Sequence, residues 1–301
     1  MMCKLKILLT GVNGQLGQAL LNLPGITDNV DWIPTDYEEL DITKSQEVLD
    51  FIHRYSPDFI INCAAYTAVD HAEQEYAKAL QINANGPENL AIAAKSADIP
   101  LIHISTDYVF SGQNWKPYTE SDQPNPLSAY GKSKYEGEQA LLKTGGKVII
   151  VRTSWLYSEY GRNFFLTMLR LGKEKDSIGV VYDQIGSPTY AGDLAEGLMK
   201  IVAFVNQHPG WLNRPDIYHF CNTGVSSWFD FSCAIMEVSG LSCKVKPIAT
   251  DQYPLPAPRP AFSILDTKKF RETFWPDIPY WRTSLYCCFE KHQLKNHFDK
   301  V

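Results

Sequence analysis

Lys6-Ile7-Leu8-Leu9-Thr10-Gly11-Val12-Asn13-Gly14-Gln15-Leu16-Gly17 sets an apolar run, a glycine-spaced turn and the helical Gln18-Ala19-Leu20-Leu21 in immediate succession. An uninterrupted apolar run is what a strand buried on both faces of a parallel sheet requires. The glycines permit a tight turn and close backbone approach, and the helix that follows aims its N-terminus at the turn, an arrangement suited to a pyrophosphate. The spacing is GxxGxxG rather than GxGxxG, so the context of strand, turn and helix carries the reading. A plain glycine loop is the alternative.

The next strand, around Val30 to Thr35, ends at Asp36, about 20 residues after the last of these glycines, where an acid can bind the adenosine ribose. No arginine follows it, which leans toward NADH, although an Asp in a polar turn reads the same way. Leu40-Asp41-Ile42-Thr43 looks like the start of a helix, with Asp41 or Thr43 as N-cap. Pro57 to Ala65 is another buried strand, ending in small residues that let a ligand lie against it, and Tyr66 to Asp70 follows as a loop. A helical run over Glu73 to Leu80 and a segment over Asn83 to Ala91 lead to the strand Leu101-Ile102-His103-Ile104-Ser105. This alternation predicts an α/β fold, a doubly wound parallel sheet of Rossmann type over residues 1–154. A smaller, mainly substrate-binding lobe is expected over 155–301, with some segments returning to the first domain.

Open α/β sheets bind ligands at the carboxyl ends of their strands. There Thr106 is a candidate hydrogen-bond donor to a carbonyl, or a local turn former. Residues 110–127, rich in Gly, Pro, Asn and Asp, read as a long loop of the kind that lines sites. Ser128-Ala129 then opens a helix carrying Tyr130 and Lys134 at i, i+4, on one face. A lysine beside a phenol whose pKa is ordinarily about 10 eases its proton exchange, making Tyr130 a candidate general acid. The same spacing also occurs on solvated helix faces.

The 301 residues carry 28 basic against 34 acidic side chains, a net charge of -6 without clustered positive charge, which argues against a nucleic-acid partner. Seven irregularly spaced cysteines without a CxxC pair suggest neither zinc nor a disulfide framework, and no metal ligand set is visible. The start Met1-Met2-Cys3-Lys4-Leu5-Lys6 has no signal-peptide pattern, and no run approaches the roughly 20 apolar residues that span a bilayer. A cytoplasmic protein without a membrane partner is expected.

Three longer words make the chain resemble the extended short-chain dehydrogenase/reductase family: Asn62-Cys63-Ala64-Ala65-Tyr66-Thr67-Ala68-Val69-Asp70-His71-Ala72-Glu73, Ile104-Ser105-Thr106-Asp107-Tyr108-Val109-Phe110-Ser111-Gly112 and Pro126-Leu127-Ser128-Ala129-Tyr130-Gly131-Lys132-Ser133-Lys134. The resemblance runs from Lys6 to about Leu285. It implies an NADPH- or NADH-dependent oxidoreductase acting on the C4 ketone of a dTDP-6-deoxy-4-keto sugar. Thr106, Tyr130 and Lys134 are its implied catalytic residues. Gly11, Asn13, Gly14, Gln15, Leu16, Gly17, Asp36, Asp41, Ile42, Ala64, Ala65, Tyr66 and Thr67, with Tyr130 and Lys134, are its implied cofactor contacts. Thr106, Asp107, Tyr108, Tyr130, Trp155 and Arg259 are its implied substrate contacts, Arg259 reaching the nucleotide diphosphate. Asn163-Phe164 and Asp183 to Thr189 resemble segments that shape the sugar-nucleotide pocket. Ala261-Phe262-Ser263 replaces the more polar triplet of some family members, and the tail Cys287 to Val301 carries no family word. A homodimer and a structural Mg2+ are left open.

Two rivals remain. A 4-epimerase or dehydratase of the same family is one; a dehydratase needs an Asp-Glu pair after the threonine, where this chain has Asp107-Tyr108. The other is a non-catalytic regulatory subunit like that of methionine adenosyltransferase, which the joint presence of Thr106, Tyr130 and Lys134 disfavours.

Overall fold

The apolar runs become a six-stranded, wholly parallel sheet in the computed structural model, which describes residues 4–25 and 29–298, with 296–298 as backbone only. The chain start at 1–3 and the end of the tail at 299–301 lie outside the described residues. The first half runs β1 (Leu5–Thr10), α1 (Gln15–Leu21), β2 (Val30–Thr35), α2 (Ser45–Tyr55), β3 (Phe59–Asn62), α3 (Tyr76–Leu80), α4 (Gly86–Ser96), β4 (Leu101–Thr106), α5 (Ala129–Thr144) and β5 (Val148–Thr153). Successive strand residues face opposite sides. Ile7 and Leu9 accordingly pack with Leu16 and Leu20 of α1, while Leu8 packs with Val48 and Ile52 of α2 and Leu90 of α4.

The second half runs β6 (Leu156–Tyr157), α6 (Phe164–Glu174), β7 (Ser177–Val181), β8 (Ile185–Gly186), β9 (Thr189–Tyr190), α7 (Ala191–Gln207), β10 (Asp216–His219), β11 (Ser226–Ser227), α8 (Trp228–Ser239), β12 (Lys244–Ile248), α9 (Lys268–Thr273) and α10 (Trp281–Phe298). Phe165 and Met168 of α6, Phe231 and Ile235 of α8, and Trp281 and Leu285 of α10 build a separate core with Ile178 and Val180 of β7. Leu194, Leu198 and Ile201 of α7 instead join the core of the main sheet, and β10 forms one edge of that sheet.

Strand order β10-β5-β4-β3-β1-β2 puts β2 and β3 on opposite sides of β1. A crevice opens where the winding reverses, outside the carboxyl ends of the strands. Thr10 lies there in register with Thr35 on one side and Asn62 on the other.

Three local expectations differ. The helical run after Glu73 is broken: a 3-10 turn at His71–Glu73 precedes α3, and a π-turn, Gln81–Asn85, joins α3 to α4. Pro87 stands in the first turn of α4, where it has no N–H to give, and the wider turn before it absorbs the mismatch. Residues 40–43 do not start a helix, because Asp41 Oδ1 accepts from the Thr43 N–H and hydroxyl in a local turn and α2 begins only at Ser45. The loop over 110–127 packs on the second half rather than lining the crevice: Phe110 stacks on Tyr118, whose N–H donates to Ile264 O.

Candidate active site

A cavity of about 850 Å³ occupies the crevice. Every residue named above as a cofactor or substrate contact lines it except Tyr66 and Arg259. Ser154, Trp155 and Leu156 close one side together with Gly161, Arg162 and Trp228.

At one end stands the glycine turn. Gly11 has φ +71°, and a Cβ there would lie 2.6 Å from the backbone nitrogen of Ala64, so only glycine lets β1 and the end of β3 approach this closely. Gly17 meets the turn from the helix side, where a Cβ would lie 2.5 Å from Gly11 O. Gly14 caps α1 without a side chain, leaving the first N–H groups of the helix to the cavity. Asp36 lines the cavity, and its carboxylate accepts from the N–H groups of Asn13 and Tyr37. This cradle of bare backbone closed by an acid fits a dinucleotide, with Gly11 to Gly17 at the pyrophosphate and Asp36 at the ribose.

At the other end, Ser128 N-caps α5 by accepting from the Gly131 N–H, and Glu73 accepts from the Ala129 N–H, so the first turn of the Tyr130 helix is fixed twice. Tyr130 and Thr106 stand together on the cavity wall, and Tyr108 packs edge-on against the Tyr130 ring at 5.7 Å. Burial pushes the Tyr130 phenol up to about 12, with the neighbouring Thr106 hydroxyl acting in the opposite direction. The expectation that Lys134 pulls this phenol down is therefore not met within the protein alone. The lysine is turned away, donating to Ile104 O at 2.7 Å and lying 3.2 Å from His103 Nε2. Burial also draws Lys134 down to about 8, against the opposing charge of Glu138. Asp107, accepting from Thr106 Oγ1, is pushed up to about 6 by burial.

Trp155 adopts φ +49° and stacks on Trp228 with ring centroids 3.6 Å apart. A strained non-glycine backbone held by a stacked partner is typical of a functional site. Arg259 lies off the cavity wall, in a bidentate pair with Asp70 at 2.8 and 2.9 Å, and donates as well to Ala257 O. That pairing holds the Asp70 carboxyl below its usual range. Tyr66 points its hydroxyl at Glu75, while its backbone is gripped on both sides by the Asn83 amide. Asn163 serves as the N-cap of α6.

Sequence reading missed several members. Asn83 also donates to Ser133 and so ties the Tyr66 loop to the Tyr130 helix. Arg162 and Trp228 come from the second half without any local motif, and His103 is hidden inside an apolar strand. Among the described residues, no group of three or more His, Cys, Asp or Glu is placed to hold a metal, and no helix is long and apolar enough to cross a membrane.

The model of the RmlD substrate binding domain matches residues 5–294. The chain is 42% identical over 287 residues to a dTDP-4-dehydrorhamnose reductase of Aggregatibacter actinomycetemcomitans, covering 93% of this chain and 97% of that protein. A crystal structure of a dTDP-4-dehydrorhamnose reductase from Clostridium acetobutylicum superposes with a TM-score of 0.89 at 43% identity, covering 96% of this chain and all of that one. One from Bacillus anthracis, solved in complex with NADP, superposes with a TM-score of 0.90 at 40% identity over the same shares.

Proposed function

The chain belongs to the RmlD substrate binding domain family, and from that membership we propose that it reduces the C4 ketone of dTDP-4-dehydro-L-rhamnose to give dTDP-L-rhamnose, the last step in making that sugar nucleotide. It is an oxidoreductase using NADPH or NADH. The observation that carries the reading is the Thr106–Tyr130 hydroxyl pair on the wall of the cavity into which the Gly11–Gly17 turn opens.

When bound, the reduced nicotinamide supplies the hydride. Thr106 holds the ketone oxygen, and the Tyr130 O–H delivers the proton as that oxygen becomes an alkoxide. A phenol held at about 12 stays protonated until so strong a base appears beside it. Lys134 offers its remaining N–H toward the cavity and steadies the cofactor's position. Trp155 and Tyr108 wall the sugar, and enclosing both reactants in one cavity supplies proximity. Arg259 reaches the diphosphate after exchanging Asp70 for it, since a bidentate guanidinium suits either partner. Residues 1–154 carry the dinucleotide and 155–301 mainly the sugar nucleotide. A cytoplasmic location and a homodimer belong to the same proposal, the latter read by sedimentation velocity.

The test is to supply the purified chain with the keto sugar and follow the absorbance of NADPH and NADH separately. Net oxidation with formation of dTDP-L-rhamnose is expected. A changed sugar without net oxidation points to an epimerase, and no oxidation with either cofactor overturns the reading.

A further inference from the structure

His103 is wholly buried, and so is Lys134 apart from 2% of its surface. His103 Nδ1 lies 2.9 Å from Asn62 Nδ2, and His103 Nε2 lies 3.2 Å from Lys134 Nζ. The direction of this chain is set by a group that can only donate. The backbone N–H of Ala64 reaches Asn62 Oδ1 at 3.1 Å, and Thr10 Oγ1 donates to the same oxygen at 2.7 Å. Asn62 must therefore turn its amide nitrogen toward His103, and Nδ1 must accept. A neutral imidazole with a bare Nδ1 carries its proton on Nε2, which faces Lys134. A doubly protonated ring is no alternative, because Nδ1 already accepts from Asn62 and burial holds His103 well below its ordinary range.

An ammonium has three donors and no acceptor, whereas an amine has a lone pair. Opposite Nε2–H, the first makes a donor-against-donor contact and the second a hydrogen bond. We propose that His103, held in its Nε2–H tautomer by Asn62, is a positioning residue that donates to Lys134 and favours the uncharged amine.

The other titratable or charged groups around Lys134 are Tyr130 and Glu138 on its own helix, Cys63 beyond β3, Asp107 beyond β4 and Arg152 of β5. Glu138 and Cys63 favour the ammonium. Glu138, however, is already bound to Arg152 through both carboxylate oxygens and to Ser105. The His103 bond thus acts on a lysine that burial has already brought close to losing its proton. The effect on turnover rests on the reductase reading, since a lysine changing charge near neutral pH sets one limb of the pH profile. The hydrogen-bond chain does not rest on it.

Two measurements use the unaltered, ligand-free chain. In [15N]histidine spectra, with His103→Gln assigning the signal among the seven histidines, Nδ1 is expected bare and Nε2 protonated. In a [13Cε]lysine titration, with Lys134→Arg assigning the signal, the Lys134 midpoint is expected at or below about 8. A third measurement uses His103→Leu, which removes the donor while keeping an apolar side chain of similar bulk. Its Lys134 midpoint is expected about one pH unit higher, the worth of roughly one hydrogen bond. An Nδ1–H tautomer, a wild-type midpoint at the ordinary lysine value of about 10.4, or an unmoved midpoint in folded His103→Leu each overturns the proposal. Failure to oxidise either reduced cofactor overturns the reductase reading alone.

Discussion

At the scale of single residues, Tyr130 is governed by enclosure more than by charge. Its phenol sits in a wall of Thr106, Tyr108 and Asp107, and burial outweighs every other influence on it. A phenol of this kind keeps its proton through the neutral range and gives it up only to a strong base such as a forming alkoxide. Tyr130→Phe keeps the ring and its edge-on contact while deleting the one atom that gives the proton. Turnover should therefore fall by about 10² or more, the usual scale of general acid catalysis. Affinity for NADPH, read by fluorescence titration, should hardly change. Undiminished turnover in this variant would remove Tyr130 from the mechanism. The pair was legible because i, i+4 is a spacing that sequence displays directly. Its electrostatics were not, because the partners that turn Lys134 aside, Ile104 and His103, lie about thirty residues upstream on another element.

At the scale of elements, the site depends on two closures. The first is β1 against the end of β3. Gly11→Ala would force a side chain into φ +71° and into the Ala64 backbone at 2.6 Å. The left-handed conformation alone costs about 1–2 kcal/mol for a non-glycine residue, and the clash adds to it. A loss of at least about 2 kcal/mol in urea unfolding, with weakened cofactor binding by calorimetry, is the expected result. The second closure is α5 against β4 and β5. Arg152 Nε and Nη2 reach the two Glu138 oxygens at 2.9 and 2.6 Å, with both side chains at most 2% exposed, and Ser105 donates to the same carboxylate. Glu138→Gln leaves a buried guanidinium without its counter-charge, so about 3 kcal/mol of stability should be lost. Adding Arg152→Met should recover part of that loss, since a buried pair is often worth little more than the apolar residues that could replace it. A double variant no more stable than the single one would show that the packing around Arg152, not its unpaired charge, carries the cost.

At the scale of the whole molecule, the sheet and its crevice were readable because apolar strands, glycine turns and helix starts are local patterns, and a parallel sheet follows from their alternation. What stayed hidden was whatever the fold assembles from distant segments: Trp228 against Trp155, Arg162 at the cavity, and Arg259 tied to Asp70 across 189 positions. Two buried histidines are of the same kind, and they give the molecule a pH dependence no composition reveals. His219 donates from Nδ1 to Tyr118 O and accepts at Nε2 from Arg152 Nη1, an arrangement open only to the neutral ring. Burial first, then the Arg152 charge, lower its pKa to about 3, and burial lowers that of His103 in the same direction. A histidine depressed in the folded state stays neutral while the unfolded chain takes up a proton below about 6.5. Stability is thus fully present above that value and lost as pH falls, by about 2 kcal/mol for His219 between pH 6.5 and 5, with His103 acting in the same direction. Asp107 works the other way. Its carboxyl, raised to about 6, keeps a proton in the folded state that the unfolded chain gives up, and returns about 1 kcal/mol between pH 6 and 5. The urea midpoint should therefore drop between pH 7.5 and 5, less steeply in His219→Gln and more steeply in Asp107→Asn. A midpoint that is flat across this range, or that shifts equally in both variants, would mean that these groups do not hold the protonation states that hydrogen bonding gives the histidines and burial gives Asp107.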